Sequence, residues 1–255
     1  MRKGSWVLSG LLGACSVLFG QPGARLTFDL PLTAQTAITN APYSAQEQWD
    51  RVQTLEDGTR VTTNRTGKML YRDAQGRTRS EYTVSPEIAQ KVIEITDPLA
   101  GVQYYLDTAN QVAHRMMLPT AAEGHAAVQA LVRADNRKRT LAAGQAATVK
   151  PTPDFTAESL QSRMVDGLLL DGQRYRTTYP IGAIGNDQEI RNVSEIWLSA
   201  ELKLLVTSNS LDPRVGQETF RLANLSRETP DPALFQIPAG YTVVEEHGPF
   251  ALELK

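Results

Sequence analysis

The residues best able to do chemistry in this chain are few and far apart. Its three histidines, His114, His125 and His247, have no partner at i+4 or within a short loop, so no metal site is expected. His114 falls on an apolar strand face, where a histidine of the core or rim with satisfied nitrogens is the common occurrence. The single cysteine, Cys15, lies close to the N-terminus, and no Gly-x-Ser-x-Gly elbow occurs, which removes the two easiest routes to a nucleophile. Asp57, Asp73, Asp97, Asp107 and Asp212 fall in turn sequences, where local hydrogen bonding accounts for them. Nothing marks a pair of carboxylates for acid–base work. The glycine-punctuated stretch from Pro180 to Asn186 lacks the Lys-Ser/Thr that would hold phosphate and metal. The expectation is a protein that is not an enzyme and uses no cofactor.

Composition points the same way. The 255 residues are 41% hydrophobic and 21% charged, which suits one sizeable globular core. A net charge of -2 gives no global attraction to nucleic acid or to an anionic membrane surface. Arg2 and Lys3 precede an uncharged run from Trp6 to Gly20, a basic tip and an apolar stretch too short to span a bilayer comfortably. Residues 1–24 are therefore expected to be a secretory signal. Leu12-Gly13-Ala14-Cys15 resembles the lipobox of bacterial lipoproteins, in which the cysteine is acylated. The apolar run continues past it through Val17, Leu18 and Phe19, so Cys15 is expected to leave with the signal. Without a second cysteine the chain can form no internal disulfide.

The elements that must position any site read as strands. Residues 25–41 read as an extended leader with an edge strand as the alternative. Residues 45–55, 59–72 and 77–84 read as a polar meander whose first turn is Asp57-Gly58 and whose second carries Gly76. Strands at 91–96, 102–107 and 112–118 follow. Residues 119–155 read as a mobile connection, with a helix over 122–139 acting as a lid as the sharper alternative; Gly124 and a weak apolar face argue against a long helix. Further strands are expected at 158–166 and 168–179, with Asp171-Gly172 as a bulge or hairpin tip. Ile196 and Leu198, then Leu202, Leu204 and Val206, alternate with polar residues, and the loop Asp212 to Gly216 closes a last hairpin. The fold class is mainly β: a curved antiparallel up-and-down sheet forming a half-open barrel with one or two covering helices, a single domain over 42–246 and a tail at 247–255.

Glu195-Ile196-Trp197-Leu198, the strand to Thr207, Phe220 to Leu225, and Asp231-Pro232-Ala233-Leu234-Phe235 leading to Ile237-Pro238-Ala239-Gly240-Tyr241 resemble the closing section of the periplasmic lipoprotein-carrier superfamily. That group includes the outer-membrane lipoprotein-sorting proteins and related sigma-factor regulatory sensor domains. The resemblance implies an incomplete antiparallel barrel wrapped on one side by helices, whose concave apolar face takes acyl chains or another lipid-like ligand. Family carriers open with an amphipathic helix, and no such helix is apparent between Arg25 and Tyr43.

Trp197, Leu204, Val206, Phe220, Tyr104 and Leu106 are assigned to the lining of that concave face, the alternative at each position being that it fills the core. The reading is an exported protein, periplasmic or otherwise outside the cytoplasm, that binds a hydrophobic ligand or a lipidated partner. An interaction or sensor module for an envelope protein is the second reading. Nucleic acid is excluded as a partner, and the membrane is touched only if Cys15 carries lipid. Intact mass spectrometry of exported protein is expected to find a chain that begins after Cys15; an acylated Cys15 at the N-terminus would reverse that expectation.

Overall fold

The computed structural model describes residues 25–85, 88–142 and 150–254. The expected signal sequence with Cys15, residues 86–87, residues 143–149 and residue 255 lie outside the described residues, as do the side chains of Arg137, Lys138 and Arg139 from the basic end of the helix.

Two meanders make up the chain. The first is β2 (Tyr43–Thr54), β3 (Arg60–Arg72), β4 (Thr78–Ser85), β5 (Ile88–Asp97), β6 (Val102–Asp107) and β7 (Val112–Met117). The second is β8 (Asp154–Val165), β9 (Leu168–Tyr179), β10 (Ile190–Ser199), β11 (Leu204–Asp212) and β12 (Gly216–Ser226). They fuse where β12 pairs antiparallel with β2, and a short β13 (Thr242–Glu245) adds parallel to β7, giving the order β13-β7-β6-β5-β4-β3-β2-β12-β11-β10-β9-β8. The protein is thus mainly β, a curved sheet, antiparallel except for β13, that stays open along two edges rather than closing into a barrel. Register shifts in the β10–β11, β12–β2, β2–β3, β4–β5 and β8–β9 ladders supply local bends.

The leader supplies an edge strand after all. Its first four described residues form β1 (Arg25–Phe28), which pairs antiparallel with β14 (Phe250–Glu253) in a separate ribbon. That ribbon seals Leu26, Phe28 and Leu252 against Val92, Tyr105 and Met116 of β5 to β7. The opposite face of the same strands buries Ile93, Ile95, Leu106 and Ala113 under Ile237 and Tyr241 of the tail. The tail is fixed by Arg79, which donates to the carbonyl of Leu234 at 2.8 Å, and by Asp231, which caps the 3-10 turn Pro232–Phe235. A third cluster, at the base of the second meander, packs Tyr43, Ala45, Leu168, Leu170, Trp197, Leu202 and Val206.

Three local readings of the sequence need correction. The connection after β7 is a 22-residue helix, α1 (Ala121–Ala142), in place of a mobile link. Its start is a capping box: the Thr120 backbone N–H donates to the Glu123 carboxylate at 2.8 Å and the Glu123 N–H to the Thr120 hydroxyl at 3.3 Å. Gly124, an argument against the helix, faces the leader backbone, where a Cβ would stand 3.1 Å from the Ala34 nitrogen and 3.2 Å from the Thr33 Cα, a tight contact. Leu202 is in the turn between β10 and β11 rather than on a strand, its N–H donating to the Ser199 hydroxyl at 3.1 Å. The hairpin tip after β8 is Asp166-Gly167, both at positive φ, and Asp171-Gly172 lies within β9 opposite the register shift between Leu160 and Arg163, the bulge of the two alternatives.

Gly172 is needed for packing. A Cβ there would stand 2.8 Å from the Trp197 ring and 2.9 Å from the Leu160 Cβ. Gly172→Ala is expected to lower unfolding stability by about 1–3 kcal/mol, the usual cost of overpacking. Urea denaturation followed by Trp197 fluorescence measures this, and an unchanged midpoint would show that the contact is not tight.

Candidate functional site

The upper parts of β8 to β12, β2 and β3 extend beyond the third cluster as a seven-strand sheet with continuous ladders. Directly paired residues in such ladders share a face. One face therefore carries the row Glu158, Arg174, Glu195, Asn209, Thr219, Asp50, Asn64. Arg174 bridges Glu195 at 2.6 Å and Glu158 at 2.7 Å, and Arg176 adds a contact to Glu158 at 3.1 Å. These are surface pairs, each worth little on its own.

The other face carries two different rows. One reads Tyr175, Ser194, Ser210, Glu218, Arg51; the next reads Gln173, Ile196, Ser208, Phe220, Trp49, Arg65. Tyr175, Ser194, Ile196, Ser208 and Ser210 are half-buried and Phe220 is 7% exposed. Yet no other described element is packed there. The β1–β14 ribbon and the tail belong to the first meander, and α1 is exposed over almost all of its described side chains, Val128, Leu131 and Val132 included. On the charged face of the same strands Arg176, Asn209, Leu211, Gln217 and Arg221 are exposed, while Arg174, Glu195, Thr219 and Asp50 are half-buried as on the serine-bearing face. The serine-bearing face differs in its neutral serines and aromatic flanks and is the candidate hollow of the half-barrel.

The hollow has two aromatic flanks. Phe155 stacks on Tyr175 with centroids 5.8 Å apart, and Trp49 packs against Phe220 at 4.7 Å with Arg65 over the indole. At its mouth Asp212 accepts from the Asn192 amide at 2.9 Å and from Arg214 at 2.6 Å, and the Arg214 guanidinium lies over the Tyr179 ring. The Arg214 hydrogen bonds hold the Asp212 carboxyl at a pKa of about 2, below its ordinary 3.8. The Asn192 Oδ1 is buried and has no hydrogen-bond donor among the described residues. On the charged face, an open cleft of about 490 Å³ lies between the β2–β3 and β11–β12 tips, lined among others by Val52, Leu55, Leu211 and Gln217.

The six residues assigned to the lining fall in three places. Trp197, Leu204 and Val206 come together in the basal cluster, where Arg163 lies 3.7 Å over the Trp197 ring. Tyr104 and Leu106 sit in the other meander against the tail, with Leu106 fully buried. Phe220 alone stands in the hollow. Sequence reasoning missed Trp49, Tyr175 and the three serines. The available signal was alternation of serine at 194, 208 and 210 with larger residues, which a search for apolar periodicity passes over. His114 has its Nδ1 2.7 Å from the Glu246 carboxylate and stacks on Phe250, fastening β13 to the sheet. Among the described residues no group of three His, Cys, Asp or Glu side chains is placed to hold a metal, and no helix is long and apolar enough to cross a membrane.

No protein-family model matches the chain, and no curated protein is significantly similar to it. Among solved structures, an uncharacterized conserved protein from Thermus thermophilus aligns over 81% of this chain and 91% of its own, at 10% identity and a TM-score of 0.38. At that level of likeness nothing about activity follows.

Asp212 supplies a pH test. Because its carboxyl titrates lower in the folded protein than the ordinary 3.8, its stabilising contribution is present above that value and is lost as pH falls toward about 2. Arg214→Ala is expected to move the Asp212 titration, followed by carboxyl-carbon NMR, from about 2 up toward 3.8. A titration left at its original position would assign the shift to some other group.

Proposed function

We propose that the protein is an exported, non-enzymatic binding protein of the cell envelope that holds a lipid-like ligand or a lipidated partner in the hollow of β9 to β12. The observation that carries this reading is the half-buried, aromatic-flanked face over which no described element is packed. A sheet loses stability by leaving such a face uncovered, and a ligand-binding role gives a reason for it. The resemblance of the closing strands to the periplasmic lipoprotein carriers supports the same choice of ligand. Export rests on the basic tip and apolar run of the first residues.

A second reading, an envelope module that binds a protein partner, is favoured by β8. Among the described residues its outer edge is unpaired over a 12-residue strand, and nearly all its side chains are exposed. Such an edge can accept another strand.

Protein purified from envelope fractions is expected to carry extractable lipid, and after delipidation to regain it from membrane extract. Ser208→Trp, which fills the hollow, is expected to reduce the lipid regained at least about tenfold, as a large side chain in a pocket commonly does, without altering the circular dichroism spectrum. Absence of lipid in both preparations, with a protein captured through β8 instead, would favour the second reading.

A further inference from the structure

One end of the second meander leaves apolar side chains in water. The registers Asp154 with Thr178, Tyr179 with Ile190, Asp212 with Gly216, Gln217 with Val52 and Thr54 with Arg60 put the start of β8 and the β9–β10, β11–β12 and β2–β3 turns side by side. Each carries a large apolar residue that is exposed: Phe155, Ile181 with Ile184, Val215 and Leu55. The β9–β10 turn holds its two outward by construction. Asn186 closes it, its Nδ2 donating to the carbonyls of Pro180 at 2.9 Å and Gln188 at 2.7 Å and its Oδ1 accepting from the Ile184 N–H at 3.1 Å. Within the turn Ala183 is buried, while Ile181 and Ile184 on either side of it are 63% and 43% exposed. A turn that hides its alanine and shows its isoleucines forgoes the larger gain from burial, which points to a contact outside the chain.

Among these tips, between the β2–β3 and β11–β12 turns, lies the cleft of about 490 Å³. Its walls are held in place. Arg51 donates to the Val215 carbonyl at 3.1 Å, and Gly216 approaches β2 so closely that a Cβ would stand 2.3 Å from the Val52 carbonyl oxygen. Val52, Leu55, Leu211 and Pro213 make one part of the lining apolar. Glu56 and Arg60 line it too, opposite in charge, and neither side chain has a hydrogen-bond or ion-pair partner among the described residues. The other charges nearby are satisfied: Arg214 is paired with Asp212, and Asp57 accepts from the Thr59 N–H at 2.9 Å. A free cation and a free anion in one cleft with aliphatic walls match a ligand that bears both charges on an apolar body. A zwitterionic phospholipid is such a molecule: its phosphate suits the guanidinium, its ammonium the carboxylate, and its glycerol and first acyl carbons the aliphatic wall.

We infer that this end of the sheet docks on a bilayer of zwitterionic phospholipid, with Ile181 and Ile184 entering the acyl boundary and one headgroup held in the cleft by Arg60 and Glu56. A surface for anionic lipid would gather cations in excess, whereas this one offers one free charge of each sign. Apolar tips on separate turns suit a fluid layer that closes around each of them. The docking needs a chain that meets a bilayer, as the proposed export provides. It is independent of what the serine-bearing face holds, because the cleft lies on the opposite face.

Flotation with lipid vesicles tests this, using exported protein that carries Cys15→Ser so that no acyl anchor contributes. Vesicles of phosphatidylcholine and phosphatidylethanolamine are expected to carry the protein upward, and vesicles of phosphatidylglycerol to carry less. Ile181→Asn/Ile184→Asn is expected to lower partition at least about tenfold, on the usual worth of two aliphatic side chains, with an unchanged circular dichroism spectrum. Met164→Asn/Leu169→Asn, an exposed pair at the other end of β8 and β9, is the control and is expected to float as the parent does. For the cleft the probe is glycerophosphoethanolamine, followed through the Arg60 Nε–H signal in NMR, which is identified by its loss in Arg60→Lys. The probe is expected to shift that signal, and Glu56→Gln to weaken its binding about tenfold, on the usual worth of a hydrogen bond to a charged group. Absence of flotation with both kinds of vesicle, or an equal loss in the tip and control variants, overturns the docking. Stronger flotation with phosphatidylglycerol, or an Arg60 signal indifferent to the probe, overturns the zwitterionic headgroup. Neither result touches the lipid regained by the serine-bearing face, which Ser208→Trp reads separately.

Discussion

The pairing of β12 with β2 is the constraint on which the molecule depends. Each meander is locally simple, but it is the ladder from Gln217 opposite Val52 to Ser226 opposite Ser44 that turns two sheets into one. It also brings Phe220 against Trp49, the inner flank of the hollow. At its base the junction is reinforced by Arg72, a buried cation whose Nε donates to the carbonyl of Ala41 at 2.8 Å and whose other nitrogen donates to the carbonyl of Leu202. The guanidinium also lies over the Tyr43 ring at 4.8 Å. Burial pulls the Arg72 pKa down and pushes the Tyr43 pKa up, both from lost hydration. The cation is tolerated because carbonyls and a ring replace the water. One side chain thereby ties the leader, the first meander and the β10–β11 turn of the second.

From that junction the two ends of the sheet diverge in how they are stabilised. The first meander is covered on both faces, by the β1–β14 ribbon and by the tail, and buries Val92, Leu106, Ala113 and Met116 completely. The second is packed only at its base, and its upper half has the ladders and the cross-strand pairs to hold it. Salt bridges such as Arg174 with Glu195 and Glu158 fix neighbours in register but are half-exposed and screened by solvent. Local stability should therefore fall from the covered meander toward the tips of β8 to β12, the part of the sheet that carries the hollow.

Much of this is legible in the chain. Asp57-Gly58 and the Asp212 to Gly216 loop are turns whose residues are chosen by backbone geometry, and strands on either side follow from period-two alternation. The tail is legible through Asp231, whose capping role is local. What stays hidden is long-range. Nothing near Val52 says that its partner is Gln217, and nothing in Arg25 to Phe28 names Phe250 to Glu253. Gly172 reads as punctuation because a glycine required by a ring packed on the strand is indistinguishable in sequence from one required by a turn. The apolar residues assigned to the hollow mostly belong to the cores, where burial stabilises them most, and the hollow is left to serines, which carry no hydrophobic signal.

The exposed edge of β8 sharpens this picture. A 12-residue edge strand beside an uncovered face invites pairing with other chains, and the sequence limits it in recognisable ways. Pro151 and Pro153 precede the strand, Asp154, Glu158 and Arg163 place charge along it, and the register shift between Leu160 and Arg163 interrupts its regular run. On the serine-bearing face the middle of the sheet, Ser194, Ser208 and Ser210, is small and uncharged, while Glu218, Arg51 and Arg65 place charge on its neighbouring strands. Charge therefore marks both the free edge and the strands beside the serines, and only the middle of that face is neutral.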